Sequence, residues 1–269
     1  MTEVTKTEAV YKTGQSFALR LHIFRGTAAA APGAASPVLV IFHGGGWVAG
    51  RPEQFFPHAR HFAQKGFVVV CPEYRVRNEH GATPFEGMAD ARSAIRWTRK
   101  HAQELRIDPG RLIAAGGSAG GHLALCTAVF PQYDEDPETP VSCIPDGLIL
   151  FNPVVDTTAH GFGEERFAGR SPEASPVHHI RPGLPDTLVL HGTDDTTVPI
   201  ENARRFVTEM TRRGNRCLLI EYPRQIHGFF NYRDGENPLF TATLDKAVTF
   251  ATDLTCGTTR LTESLPDEL

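Results

Sequence analysis

Long apolar runs, an excess of basic residues and paired cysteines are all missing from this sequence. No apolar run approaches the roughly 18 residues that a membrane-crossing helix needs, so we expect no membrane span. Lysine and arginine number 27 against 31 aspartates and glutamates, which excludes the basic surface of a nucleic-acid-binding protein. The five cysteines are scattered and form no C-x-x-C pair, so the sequence predicts neither a zinc site nor a redox dithiol.

The N-terminus lacks the apolar segment of a secretory signal, since Met1–Glu8 is polar. We therefore expect a cytoplasmic protein, or a secreted or periplasmic one if a signal peptide has been removed. A chain of 269 residues fits one large α/β domain. We expect that single domain to span residues 1–269, with a loose polar tail from about residue 257.

Short apolar runs alternate with amphipathic segments along most of the chain, which indicates an α/β fold with a mostly parallel sheet and helices on both faces. The opening differs, because residues 7–25 follow the two-residue period of a pair of strands. In the helix predicted over about 84–105, a solvated face is expected to carry Arg92, Arg96, Arg99 and Lys100. The other predicted strands are 38–42, 67–71, 111–115, 147–151, 188–190 and 217–220, and the other helices are 122–129, 203–213 and 238–254.

The stretch 156–185 breaks this alternation, because it is rich in Gly, Pro, Ser and His and has no strong period. It is too long for a simple connection, so we expect an active-site lid or a small cap insertion. Its polar side chains would give the site a polar rim. They include His160, Arg170 and the pair His178–His179, which lacks the further ligands that a metal site needs.

A serine lies between two glycines at the junction of a predicted strand and a predicted helix. Gly116, Ser118 and Gly120 form the G-x-S-x-G pattern of a nucleophile elbow, a sharp turn that presents a serine hydroxyl above a sheet. The pattern alone is weak, since glycine-rich turns between strand and helix also bind phosphate. Here no G-K-[ST] and no G-x-G-x-x-G follows, so we interpret Ser118 as a catalytic nucleophile.

A serine nucleophile needs a histidine base and an acid that orients the base, in the chain order serine, acid, histidine. His227 follows the last predicted strand and supplies the base. Asp194 and Asp195 follow the strand before it, and Asp156 follows an earlier one. Spacing alone leaves the choice among the three acids open.

Ester chemistry also needs backbone N–H groups that stabilise the negative charge on the carbonyl oxygen. The loop His43–Gly46 has no side chain after its histidine, so its N–H groups can face a pocket, and Ala119 N–H lies beside the nucleophile. Trp47 ends this loop, and Phe229 and Phe230 come shortly after His227, so we expect these bulky rings to close the acyl side early. Trp47 and Phe229 are the two that we expect to bind substrate.

Four segments together resemble the α/β-hydrolases of the HGGG esterase/lipase group: His43–Trp47, Gly116–Gly121, His191–Pro199 and His227–Phe229. The likeness covers roughly residues 8–255. It extends to hormone-sensitive-lipase-like esterases and, more closely, to compact bacterial feruloyl and acetyl-xylan esterases. The elbow lacks the aspartate of the former group, and the N-terminal part is too short for their large helical cap.

The resemblance implies roles for particular residues. Asp195 occupies the fifth position of the family's H-G-x-x-D-x-x-V-P pattern and is therefore the expected acid. Gly45 and Gly46, with Ala119, are the expected oxyanion donors, and Gly44 is structural.

The resemblance also implies an activity, which is hydrolysis of short-acyl esters, with plant cell-wall carbohydrates as possible substrates and no cofactor. Two alternatives stay open at this point. One is an arylformamidase-type amide hydrolase, which carries a similar H-G-G-x-W signature, and the other is a non-catalytic ligand-binding protein with a hydrolase fold.

Overall fold

A single sheet runs through the computed structural model, which describes residues 3–27, 35–130, 139–235 and 237–257. Within those ranges the sheet has eight strands. They are β1 (Val4–Thr13), β2 (Ala18–Gly26), β3 (Ser36–Phe42), β4 (Val68–Pro72), β5 (Ile107–Gly117), β6 (Gly147–Phe151), β7 (Asp186–Gly192) and β8 (Cys217–Tyr222).

The strand order is β1-β2-β4-β3-β5-β6-β7-β8. The pairs β1–β2 and β2–β4 are antiparallel, and the remaining pairs are parallel. The predicted α/β class with a mostly parallel sheet is therefore confirmed, including the two-stranded opening. Because β3, β5, β6, β7 and β8 run in the same direction, the loops at their carboxyl ends meet at one edge of the sheet.

The helices of the described ranges are α1 (Phe56–Gln64), α2 (Arg77–His80), α3 (Pro84–Lys100), α4 (Ala102–Leu105), α5 (Ala119–Val129), α6 (Ile200–Arg212) and α7 (Pro238–Cys256). The single helix expected over 84–105 is broken at His101, which closes α3 and precedes α4. At its start, Thr83 and Glu86 form a capping box, so this end follows a local signal. The helix α1 was not predicted from the sequence.

The sheet has a hydrophobic cluster on each face, as the alternation of side chains along a strand requires. In β3, Val38 and Val40 pack in one cluster, and Leu39 and Ile41 pack in the other. The strand is buried on both faces, so it reads as a continuous apolar run rather than as an alternating one.

The arginines of α3 are not a solvated face, which corrects the expectation from sequence. Arg92 is fully buried and Arg96 is 9% exposed. The Arg92 guanidinium donates to the Cys126 carbonyl, and Arg96 donates to the Val141 carbonyl. A helix with partners on all sides buries even its charged positions, and their long stems pack against neighbouring apolar surface.

The stretch 156–185 contains three short 3-10 helices, Glu164–Phe167, Ser171–Ala174 and Pro176–His178. Asp156 ties the start of the stretch to the turn before its last 3-10 helix, because its Oδ1 accepts hydrogen bonds from Thr158 and from Ser175. The tail expected from about residue 257 lies outside the described residues apart from Gly257. Within the described ranges, no helix is long and apolar enough to cross a membrane.

Candidate active site

Ser118 lies at the turn between β5 and α5 with a φ of 55° and a ψ of −120°. This backbone conformation is rare for a residue with a side chain and persists only where the surroundings enforce it. Ser118 N–H donates to the Phe151 carbonyl at 2.9 Å, which ties the turn to the neighbouring strand β6. The turn thus presents the Ser118 hydroxyl at the carboxyl edge of the sheet.

The turn also depends on Gly120, two residues after the serine. A Cβ at Gly120 would lie 2.2 Å from the Phe42 carbonyl oxygen and 2.3 Å from that of His43. Both atoms belong to backbone, so neither can move aside without shifting β3 or the loop that follows it. The close packing of α5 against β3 therefore requires glycine at this position.

We expect Gly120→Ala to lower the free energy of unfolding by about 1–3 kcal/mol, because the added methyl overpacks a rigid backbone contact. Urea unfolding measures the change. Gly110→Ala is the matched control, since the nearest atom to a Cβ there is Asp108 Oδ1 at 3.4 Å. Equal stability of the two variants would contradict this account of the turn.

Ser118, His227 and Asp195 lie within hydrogen-bonding distance of one another in series. His227 Nε2 is 3.0 Å from Ser118 Oγ, and His227 Nδ1 is 2.7 Å from Asp195 Oδ2. The three residues come from the loops after β5, β7 and β8. These loops converge because the strands run parallel in one part of the sheet, with β6 between β5 and β7. A histidine that faces a hydroxyl with one nitrogen and a carboxylate with the other is arranged to take a proton from the hydroxyl.

The carboxylate of Asp195 is buried and held on both oxygens. Its Oδ1 accepts from Thr197 N–H and Val198 N–H, each at 2.9 Å, and Oδ2 faces His227. His191 Nε2 lies 2.9 Å from the Val198 carbonyl and 3.4 Å from Asp195 Oδ2. Burial raises the pKa of Asp195, but hydrogen bonds from the two imidazoles and from Val198 outweigh it and hold the pKa well below the usual aspartate range.

The two other candidate acids point elsewhere. Asp194 Oδ1 accepts from Thr193 Oγ1 on the exposed side of the loop. Asp156 is buried, but its oxygens bond with Thr158, with Ser175 and with the guanidinium of Arg205. The structure therefore brings Asp195, and neither of the others, into contact with His227.

The glycine loop after β3 lines the same cavity as Ser118 and His227. Gly45 and Gly46 have φ values of 114° and 62°, a region that glycine enters without strain. Within the described residues, the N–H groups of Gly45, Gly46 and Ala119 donate to no protein atom. Arg166, from the stretch 156–185, donates to the Gly46 carbonyl at 2.9 Å and so holds the loop from its other side.

A cavity of about 510 Å³ opens beside Ser118 and His227. Polar and apolar surface both contribute to its walls. Apart from these two residues and the glycines of the two loops, the residues that line it are Val48, Gln54, Arg77, Asn152, Phe162, Glu165, Arg166, Thr197, Phe230 and Asn231.

Of the three rings expected at the acyl side, Phe230 lines the cavity but Trp47 and Phe229 do not, which corrects the expectation for those two. Trp47 is 2% exposed, packs against His122 and Phe167, and does not line the cavity. Phe229 is 5% exposed and packs against the ring of Tyr222. Both residues lie in the segments that resemble the family, but their rings point into the protein and not into the cavity.

The polar rim also differs from the expected one. None of His160, Arg170, His178 or His179 lines the cavity. Arg77, Glu165 and Arg166 take that place, together with the amides of Gln54, Asn152 and Asn231. No motif marks these residues, because they reach the cavity only through the packing of separate loops. In the part of the chain that the structure describes, no group of His, Cys, Asp and Glu side chains is arranged to hold a metal ion.

Comparison with known protein families finds two matches. The family described as BD-FAE matches residues 27–157, and the prolyl oligopeptidase family matches residues 153–245. Together the matches cover the elbow, the loop of Asp195 and the loop of His227.

Among individual proteins, the probable carboxylic ester hydrolase LipM of Mycobacterium tuberculosis is 30% identical over 72% of this chain. The chain spans about half the length of the curated relatives it matches, 49% in the case of LipM and 53% in the case of esterase LipC from the same organism.

Solved structures give a fuller match. Esterase 2 of Thermogutta terrifontis, phosphoramylated by tabun, is 40% identical with a TM-score of 0.86, and the match covers 93% of this chain and 94% of the other. The butyrate-bound form of that esterase has a TM-score of 0.84 at 39% identity, covering 94% of each chain. The sheet order, the elbow and these likenesses agree, and the chain therefore belongs to the α/β-hydrolase superfamily, in the group that contains these esterases.

Proposed function

We propose that this protein hydrolyses carboxylic esters of short acyl groups through a covalent acyl-enzyme. The observation that carries the proposal is the continuous contact from Ser118 Oγ through His227 to Asp195. The likeness to esterases supports the ester hydrolysis, because LipM is named a probable carboxylic ester hydrolase and LipC an esterase.

In the proposed reaction, Ser118 Oγ attacks the ester carbonyl carbon while His227 Nε2 takes the hydroxyl proton. The ionised Asp195 stabilises the imidazolium that forms. The N–H groups of Gly45, Gly46 and Ala119 stabilise the negative charge on the carbonyl oxygen. His227 then gives its proton to the leaving alkoxide, and a water molecule repeats the sequence to release the acid and restore Ser118.

The size and the walls of the cavity favour a small acyl group and a polar alcohol. The apolar side chains that line it are Val48, Phe162 and Phe230, and amides and charged side chains make up most of the others. An acyl chain gains about 0.8 kcal/mol for each methylene that it buries, and only where an apolar surface receives it. The butyrate-bound neighbour has a short acid as its ligand, which agrees with this size.

We expect kcat/KM to be highest for acetate to butyrate and to fall for longer chains. Hydrolysis of p-nitrophenyl acetate, butyrate, octanoate and palmitate measures it directly. Faster turnover of octanoate or palmitate than of both short esters would contradict the proposed acyl site. The same assay without enzyme corrects for spontaneous hydrolysis.

The charged side chains of the rim, Arg77, Glu165 and Arg166, favour an alcohol that can accept and donate hydrogen bonds, such as an acetylated sugar. Release of acetate from acetylated xylan tests this part of the proposal, with release of formate from N-formylkynurenine beside it. A higher kcat/KM for N-formylkynurenine than for any of the esters would point to amide hydrolysis instead.

A further inference from the structure

A chain of side-chain amides connects the glycine loop after β3 with the turn that carries His227. Gly44 N–H donates to Gln54 Oε1 at 2.7 Å, and Gln54 Nε2 donates to Asn231 Oδ1 at 2.9 Å. Asn231 Nδ2 in turn donates to the Gly228 carbonyl at 3.0 Å. Residues 44–54 and residues 228–231, far apart in sequence, are thereby joined by neutral groups that line the cavity.

The two ends of the chain fix the orientation of both amides. Gly44 offers a donor, so Gln54 must turn its oxygen to it and its nitrogen towards Asn231. Gly228 offers an acceptor, so Asn231 must turn its nitrogen to that end and its oxygen to Gln54. With either amide reversed, two donors or two acceptors would face each other, so a single arrangement satisfies every bond.

Each end of the chain lies next to a group of the proposed mechanism. Gly44 precedes Gly45, and Gly228 follows His227. The Gly228 carbonyl also accepts from Asn231 N–H at 3.0 Å, and Gly228 N–H donates to Asn152 Oδ1 at 3.1 Å. The N–H and the carbonyl of Gly228 are thus both held, the first by the Asn152 side chain from outside the loop and the second by Asn231.

We infer that Gln54 and Asn231 are positioning residues that hold the oxyanion loop and the His227 turn in register with Ser118. The inference rests on the proposed ester hydrolysis. Neither side chain reaches the triad atoms, and the atoms they bind are backbone groups next to the reacting ones. A shift of the reacting groups by about 1 Å can cost about 100-fold in rate, so such a link affects turnover without touching the substrate.

The test compares Gln54→Met, Asn231→Leu and the double variant, which keep side-chain size and remove the hydrogen bonds. We expect each single change to lower kcat for p-nitrophenyl butyrate by about 10- to 100-fold while KM changes by less than about twofold. Each change breaks the same chain, so the double variant should be close to the slower single variant rather than to the product of the two effects.

Two measures separate positioning from loss of folding. Titration with paraoxon counts the reactive sites, so kcat per titrated site does not depend on how much of a variant is folded. Gln103→Met, at an exposed position of α4, is the matched control and should keep the wild-type kcat. If Asn231→Leu yields no titratable site, Asn231→Asp keeps the acceptor for Gln54 and the side-chain size, and it should still lose turnover.

Three results would overturn the inference while the wild-type enzyme remains an active esterase. They are single variants that keep more than half of kcat, a rise in KM with unchanged kcat, and a double variant whose loss equals the product of the single losses. The second would mean that the amides bind substrate. Failure of the proposed function is a different outcome, since the wild-type protein would then hydrolyse none of the esters.

Discussion

Ser118→Ala is expected to fold as the wild type does and to lose about 10⁵- to 10⁶-fold in kcat for ester hydrolysis, as removal of the nucleophile does in a serine hydrolase with a triad. The loss is large because His227 and Asp195 act only through the Ser118 hydroxyl. The remaining rate should still exceed that in water, since the oxyanion donors stay in place.

The measurement is kcat of the purified variant with p-nitrophenyl butyrate, together with its thermal unfolding temperature. Alanine must adopt the same positive φ of 55° that serine adopts, so we expect little change in the unfolding temperature. Paraoxon should no longer react with the variant in a one-to-one ratio. Retention of more than a tenth of wild-type turnover in a clean preparation would remove Ser118 from the mechanism.

Asp195→Asn is the second change with a large expected effect, a loss of about 10⁴-fold in kcat. The asparagine amide can donate to His227 Nδ1, which leaves the proton on Nε2 and turns the nitrogen that faces Ser118 from an acceptor into a donor. The base is then in the wrong tautomer, although the geometry of the site is preserved.

Asp194→Asn is the matched control, because it is the adjacent residue and carries the same change of charge. Its carboxylate bonds to Thr193 and has no contact with His227, so kcat should stay within about twofold of wild type. A crippled Asp194 variant beside an active Asp195 variant would reverse the assignment of the acid.

The order of elements in the fold could be predicted from sequence, because each strand and most helices carry their own periodic signal. The unbroken apolar run 38–42 and the alternation over 7–25 correspond to β3 and to the β1–β2 pair. The helix α1 escaped prediction, since Phe56–Gln64 has phenylalanines and histidines spread along it and lies beside short connections. The break at His101 escaped it too, because apolar spacing continues across the gap.

In the candidate site, too, some residues could be predicted from the sequence and others could not. Ser118 and His227 lie in short motifs at strand ends, which parallel strands bring together, so a sequence argument could name both. The choice of Asp195 came from the resemblance to the family, because a position at a strand end fits three acids. Trp47 and Phe229 lie in the same motifs, yet the direction of a side chain depends on local φ and ψ and on neighbouring elements. Their burial against His122 and Tyr222 was therefore decided by packing.

By itself the sequence determined the α/β class, the sheet of mostly parallel strands and the pair Ser118 and His227 proposed for catalysis, because each is encoded within a few consecutive residues. The choice of Asp195 also needed the pattern of the family. Only the tertiary structure decided that Arg92 is buried and that Gln54 and Asn231 connect Gly44 with Gly228. Gln54 and Asn231 are 177 positions apart, and a polar side chain carries no sign of its partner until folding brings the two together.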